Sequence, residues 1–246
     1  MAQRARAVVA QGFTALKFDP FPNPWRSFIT HDVERDAVDR VAAVREAVGP
    51  DVEILVEVHR RLSPGAAARA ARLMEPYRPY WFEEPVSARD LDGLAEARRD
   101  ISLPVVTGEE LYTKAEFRPI LEKHAADILN PDVCNCGGIL ELVQIAAMAE
   151  PYHVAISPHN YNSTTLGLAA TLHACATMPN FIITEYFVNF QAKGLEIASP
   201  GFKVVDSHIT LPDLPGLGID LDEKALAANP YRLMPARGLR RPEDEP

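Results

Sequence analysis

The sequence predicts an α/β fold, specifically a barrel of the (β/α)8 type. Short apolar segments rich in Val, Ile and Phe alternate with longer segments in which apolar residues recur at helical spacing. Seven strand signals occur in this alternation, and strands joined by crossover helices are parallel. The length of 246 residues also suits a barrel, which typically has roughly 250 residues.

Each element has its own local signal in the chain. The strand candidates are short and apolar: 14–18, 53–58, 80–83, 104–108, 127–130, 153–157 and 181–185. The helix candidates show helical spacing of apolar residues: 3–12, 32–48, 63–74, 88–99, 114–124, 138–149 and 163–177. A hairpin is expected over 202–212, turning at Asp206-Ser207, and a short acidic helix follows it. We expect residues 1–225 to form the barrel domain and 226–246 a C-terminal tail.

Composition narrows the class of protein. The formal net charge of −9 argues against nucleic-acid or membrane-surface partners. Three cysteines do not make a disulfide framework, and no N-terminal apolar segment resembles a signal peptide. No apolar run is long enough to span a bilayer. We therefore expect a cytoplasmic protein that acts on a small molecule.

Ionisable residues recur where the predicted strands end. They are Lys17 and Asp19, Glu57 and His59, Glu83, Glu109, Asp132, His159 and Glu185. From Glu57 onward one such residue follows another at intervals of 23 to 27 positions, about the length of one strand–helix unit. Because active sites of such barrels lie at the carboxyl ends of the strands, the register predicts that these side chains share one rim.

The residue types in this set predict a metal-assisted reaction. Glu57, Glu83 and Glu109 supply only oxygen ligands, which suit Mg²⁺. On the next two strands Asp132 and His159 form a candidate pair, since a carboxylate beside an imidazole fixes its tautomer and raises its basicity. Lys17 would add a cation beside the metal.

Seven motifs, taken together, resemble one family. They are ALKFD, LVEVH, WFEEP, VTGEE, NPDVCNCGG, ISPHN and PNFIITE. From about residue 3 to 225 the chain is similar to the enolase superfamily, in the branch of mandelate racemase and the acid-sugar dehydratases. The resemblance implies that Glu57, Glu83 and Glu109 bind Mg²⁺ and that His159 with Asp132 is the base that removes an α-proton. Members of this superfamily use a Lys or His base together with Mg²⁺.

The resemblance assigns roles to three further residues. Glu185 would hydrogen-bond an oxygen of the substrate carboxylate, and Lys17 would stabilise the same carboxylate. His59, two positions after the first metal ligand, is similar to the general acid of galactonate dehydratases. A symmetric homo-oligomer is also typical of the family.

The chain departs from the family pattern in three ways. Glu57 stands where the first metal ligand is more often Asp, and Asp19 stands where the racemase has a second lysine. A racemase needs bases on both faces of the α-carbon, so Asp19 favours dehydration. Family members also carry an N-terminal α+β capping domain, and this chain begins with a helix that precedes the second barrel strand. We therefore expect the first strand and the cap to be absent.

The predicted activity is dehydration of a sugar acid to a 2-keto-3-deoxy acid through an ene-diolate. A sugar-lactone cycloisomerase, or an epimerase or racemase on the same scaffold, is one alternative. A non-catalytic fragment that binds metal is another. The sequence does not identify the sugar acid, whose selection would depend on the loop 20–31, with Trp25, and on residues such as Arg60, Tyr161 and Asn162.

Overall fold

A computed structural model of the chain describes residues 1–23, 26, 28–161 and 163–233. Trp25, Asn162 and the tail beyond residue 233, which figure in expectations from the sequence, lie outside the described residues. Over the described residues the chain divides into two compact units. The first comprises residues 1–107 and 122–127, and the second residues 108–121 and 128–233.

The first unit is a series of parallel strands joined by helices. Its elements are α1 (Ala2–Val9), β1 (Ala15–Phe18), α2 (His31–Val48), β2 (Glu53–Glu57), α3 (Pro64–Met74), β3 (Trp81–Glu83), α4 (Leu91–Asp100) and β4 (Val105–Thr107). The four strands pair in chain order, each parallel to the next. In this register Glu57 lies opposite Glu83, so the two carboxylates end neighbouring strands at the same level.

Local signals explain where the longest helix of this unit begins and ends. The Thr30 hydroxyl caps α2 by accepting a hydrogen bond from the backbone N–H of Val33 at 3.4 Å. Gly49 terminates the helix with a φ of 79°, a conformation that glycine adopts without a steric penalty. Val41 and Val44, one helical turn apart, are buried, and this apolar face makes the helix part of the core.

The second unit contains further strands and helices in the same alternation, followed by short antiparallel pairs. Its elements are α5 (Thr113–Glu122), β5 (Ile128–Leu129), α6 (Val133–Cys136), α7 (Ile139–Ala149), β6 (Ala155–Ile156), α8 (Thr164–Cys175), α9 (Gln191–Ile197), β7 (Ala198–Ser199), β8 (Val204–Val205), β9 (His208–Ile209), β10 (Asp220–Leu221) and α10 (Glu223–Ala228). Strands β5 and β6 are parallel. The β8–β9 pair is the hairpin expected over 202–212, and its turn residues Asp206 and Ser207 have φ values of 47° and 62°.

The prediction of a strand at 181–185 is wrong. The segment forms a single parallel bridge, between Ile156 and Phe181, and then leaves the regular ladder. The physical reason is Pro158, because the next ladder hydrogen bond would need a backbone N–H that proline lacks. Instead the carbonyl of Pro158 accepts from the Thr184 hydroxyl at 2.9 Å and from the backbone N–H of Glu185 at 3.3 Å.

An apolar cluster anchors the end of the second unit. Leu168, Ala169 and Leu172 of α8 pack with Phe202, and partly buried residues from the hairpin region lie against them. His173 of the same helix hydrogen-bonds the carbonyl of Leu217 at 3.2 Å, a structural contact. Across the described helices, none combines the length and the apolar content that crossing a bilayer would require.

Candidate functional site

Two buried carboxylates and one ammonium group meet at the strand ends of the first unit. Glu57 and Glu83 are 3% and 1% exposed, and they end the neighbouring strands β2 and β3. Lys17 of β1 places its Nζ 2.8 Å from Oε1 of Glu83 and 3.7 Å from Oε2 of Glu57. The indole N–H of Trp81 donates to the other oxygen of Glu83 at 2.9 Å. The sequence thus brings three of its predicted site residues together.

This arrangement fits a divalent cation. Burying a carboxylate is costly unless a cation or hydrogen-bond donors compensate the charge, and here two carboxylates are buried side by side. The Lys17 ammonium already lies against one oxygen of each, so these two oxygens face a position where positive charge is favourable. A set of carboxylate oxygens is the donor type that Mg²⁺ prefers.

His59 lies on the first unit in a cluster that the sequence did not predict. Its Nδ1 is 2.8 Å from Oδ2 of Asp19, although the two residues are 40 positions apart in the chain. Arg61 donates from its guanidinium to the same Asp19 oxygen. The sequence indicated Asp19 only as a poor replacement for the second base of a racemase, and it did not predict the contact between Asp19 and Arg61. No local pattern could have joined these residues, since the contact depends on the pairing of β1 with β2.

Arg61 is buried, at 6% exposure, and ties this cluster to the backbone. Its Nε donates to the carbonyl of Val58 at 2.8 Å, and one terminal nitrogen donates to the carbonyl of Phe21 at 3.3 Å. Burial lowers the pKa of Arg61, while the charges of Asp19 and Glu57 act in the opposite direction. Arg61 therefore holds the loop after β1 against the loop after β2.

The second unit contains the other predicted dyad. Nδ1 of His159 is 2.7 Å from Oδ2 of Asp132. Asp132 is 3% exposed, and its second oxygen accepts from the backbone N–H of Cys134 at 2.8 Å, which caps the short helix α6. The two residues are also joined by an isolated parallel bridge. This helix was missed in the sequence because it is only one turn long, yet it fixes the aspartate that holds the imidazole.

Two further carboxylates lie near the opposite nitrogen of His159. Its Nε2 is 3.3 Å from Oε2 of Glu109 and 3.6 Å from Oε2 of Glu185. The same Glu185 oxygen accepts from the backbone N–H of Asn160 at 3.0 Å, so its position is fixed by the loop after β6. All four predicted site residues of this unit are therefore within one small cluster around His159.

The cysteines are free thiols in the structure. Burial raises the pKa of Cys136 and of Cys175 to about 12, with the charge of Asp132 adding to the effect at Cys136. Cys134 is exposed, and its pKa is also raised, first by desolvation and then by Asp132. All three are therefore protonated near neutral pH.

Comparison with known proteins confirms the fold class. The chain is 38% identical to a mandelate racemase/muconate lactonizing enzyme-like protein from Rubrobacter xylanophilus, with a TM-score of 0.85 over 91% of this chain and 59% of that one. A putative dehydratase from Mesorhizobium loti gives a TM-score of 0.88 at 29% identity, over 94% of this chain and 63% of that one. The similarity to these structures places the chain in the class of α/β barrel proteins. Residues 1–225 match the family described as Enolase C-terminal domain-like, and the chain belongs to that family.

Curated relatives carry names of sugar-acid dehydratases. The D-gluconate dehydratase of Thermoproteus tenax is 37% identical over 238 residues, which cover 96% of this chain and 47% of that protein. The D-gluconate/D-galactonate dehydratase of Picrophilus torridus is 33% identical over 223 residues, covering 91% and 56% respectively. The chain thus spans about half the length of the curated relatives it matches.

Proposed function

We propose that this chain carries the barrel part of a Mg²⁺-dependent acid-sugar dehydratase, which converts an aldonate or aldarate to a 2-keto-3-deoxy acid. The observation that carries the proposal is the His159–Asp132 dyad, with its 2.7 Å contact and the two carboxylates near Nε2. The names of the relatives from Thermoproteus tenax and Picrophilus torridus support the substrate class.

In this proposal Glu57, Glu83 and Glu109 hold the Mg²⁺ ion. The buried, paired carboxylates of Glu57 and Glu83, with a cation against them, support the first two assignments. Glu109 follows β4 as Glu57 and Glu83 end β2 and β3, which supports the third. When bound, the ion would supply fixed positive charge to the substrate carboxylate and to the negative charge that develops on it.

The chain's own residues would move two protons. His159, held through Nδ1 by Asp132, removes the proton from C2 with Nε2, while Lys17 and Glu185 position the substrate carboxylate. His59 gives a proton to the 3-hydroxyl, the C3–O bond breaks, and water leaves. The resulting enol then tautomerises to the 2-keto-3-deoxy acid, so that the overall change is loss of one water molecule.

The contacts of Asp19 favour dehydration over racemisation. A racemase needs a second base, and Asp19 is the residue at the corresponding place in the chain. Its Oδ2 is engaged by His59 and by Arg61, so it acts as a partner of His59 in this structure. An epimerase or a cycloisomerase would release no water, and product analysis therefore separates these activities.

The test is a screen of the chain with Mg²⁺ against a library of aldonic and aldaric acids, with detection of 2-keto-3-deoxy products. His159→Asn should lower the turnover by roughly 10²- to 10⁴-fold, the usual contribution of a positioned base. The matched control is His153→Asn, because His153 is an exposed histidine in the second unit with a φ of 59°, which asparagine tolerates. Equal loss in both variants, an isomer in place of the dehydrated product, or silence across the library would contradict the proposal.

The proposed partners follow from the same function. They are a small sugar acid and further copies of this chain, with no nucleic acid and no membrane. A cytoplasmic location stays a prediction from the sequence.

A further inference from the structure

We propose that Asp19 is a positioning residue for the general acid: it holds the His59 imidazole through Nδ1 so that Nε2 delivers the proton to the leaving hydroxyl. The inference rests on the proposed function for the step that it assists. It adds a second Asp–His pair to the molecule, on the first unit, with the same form as the Asp132–His159 pair on the second.

The geometry supports an imposed orientation of His59. The contact between Nδ1 and Asp19 Oδ2 is 2.8 Å, within the range of a charge-assisted hydrogen bond. The backbone N–H of His59 donates to Oε1 of Glu57 at 2.6 Å. His59 and Arg60 both have a φ of 53°, which non-glycine residues rarely adopt. Such backbone persists where surrounding contacts enforce it, and it concentrates at functional sites.

Arg61 keeps Asp19 in place beside His59. Its guanidinium donates to Asp19 Oδ2 and is itself fixed by the carbonyls of Val58 and Phe21. The other Asp19 oxygen accepts from the backbone N–H of Phe21 at 2.8 Å. Both oxygens of Asp19 are therefore committed to the protein, one to a loop amide and one to His59 and Arg61. A residue held in this way orients its partner and does not itself exchange protons with substrate.

The pairing determines which nitrogen of His59 carries out the proton transfer. With Nδ1–H directed at Asp19, the imidazole presents Nε2 for proton delivery. Loss of the carboxylate would let the ring turn or change tautomer, and the C3–O bond would break without a well-placed proton. Removal of the C2 proton by His159 would be unaffected, since that step uses the other dyad.

The kinetic test compares Asp19→Asn with wild type on two substrates. On a 3-hydroxy acid, kcat should fall by roughly 10- to 100-fold, part of the contribution of a general acid, while KM changes by about twofold or less. On the 3-deoxy-3-fluoro analogue the loss should largely disappear, because fluoride leaves without protonation. His59→Asn should show the same pattern more strongly. The matched control is Asp39→Asn, an exposed carboxylate of α2, which should behave as wild type.

Equal losses on both substrates would overturn the inference, because a general disturbance of the fold would slow both alike. A second measurement does not depend on turnover. In ¹H–¹⁵N spectra, with His59 assigned by its absence in His59→Asn, wild type should show a proton on Nδ1 shifted downfield, and Asp19→Asn should lose that signal. If wild type dehydrates no acid, the proposed function fails, and this spectrum alone decides the pairing: a signal unchanged in Asp19→Asn refutes it.

Discussion

Replacing Lys17 by Met tests how the buried carboxylates of the first unit are compensated. The substitution keeps an unbranched, largely apolar side chain of similar length and removes the ammonium. That group lies 2.8 Å from Glu83 and 3.7 Å from Glu57, which are 1% and 3% exposed. We expect Lys17→Met to be less stable than wild type in the presence of EDTA, and to recover much of the difference when Mg²⁺ is added.

The size of the expected loss in the free energy of unfolding follows from the burial of the two carboxylates. Removing one partner of a buried ion pair costs about 3–5 kcal/mol, because the remaining charge stays buried. The Lys17 side chain is 18% exposed, so water reaches the ammonium. We therefore expect a loss at the lower end of this range, about 3 kcal/mol. A cation at 100 times its Kd stabilises the folded state by about 2.7 kcal/mol. Since the ion would compensate the same two carboxylates whose charge Lys17 offsets, the variant should gain more from Mg²⁺ than wild type does.

Urea denaturation with and without Mg²⁺ measures both effects as shifts of the midpoint. Lys193→Met is the control, because Lys193 pairs with Glu196 at 2.6 Å on the surface, with side chains 40% and 58% exposed. Such a pair is worth at most about 1 kcal/mol and should show no dependence on Mg²⁺. A Lys17→Met variant as stable as wild type in EDTA, or one that gains no more than wild type from Mg²⁺, would refute the reasoning.

Three further outcomes test other parts of the structure. Thr107→Val removes the hydroxyl that donates to Oε1 of the fully buried Glu84 at 3.0 Å, and should lower the free energy of unfolding by about 1–3 kcal/mol; an unchanged urea midpoint would contradict this. In Gly108→Ala the new Cβ would lie 2.6 Å from Cε1 of the fully buried Phe117, and Gly108 itself has a φ of 137°. This substitution should lower the free energy of unfolding by about 1–3 kcal/mol. The control Gly65→Ala, in α3 with open space around the new Cβ, should leave the stability unchanged or raise it. At pH 8, iodoacetamide should modify only Cys134 in the native chain and all three cysteines in urea, because Cys136 and Cys175 are buried with pKa values of about 12; early modification of either buried thiol would argue against this packing.

Most elements were predictable because their signals are local. Helix α2 shows its apolar face, its cap and its terminating glycine within one stretch of sequence, and the structure places it at His31–Val48 against an expected 32–48. The segment 181–185 is also largely apolar, with Phe181, Ile182 and Ile183, but it forms no regular strand. Its pairing depends on Pro158 in the neighbouring segment, a long-range condition that composition does not encode.

In the candidate site, too, one contact could be predicted from the sequence and another could not. Asp132 and His159 lie one strand–helix unit apart, so their register predicted the contact that the structure shows at 2.7 Å. Asp19 and His59 are also at the ends of neighbouring strands, but each lies just beyond its strand, in a loop. Their contact depends on the left-handed backbone at His59 and on the buried Arg61, and neither feature has a signature in the sequence.

The two Asp–His pairs show that the pairing alone does not decide which histidine is the base. In both, the aspartate engages Nδ1, which leaves Nε2 as the nitrogen available for proton transfer. A β-elimination needs one histidine to accept a proton at Nε2 and the other to donate one from the same atom. The roles are therefore separable only by the step that each variant slows. Exchange of the C2 proton with deuterium should be lost in His159→Asn and retained in His59→Asn, and the reverse result would exchange the assignments of acid and base without changing the proposed reaction.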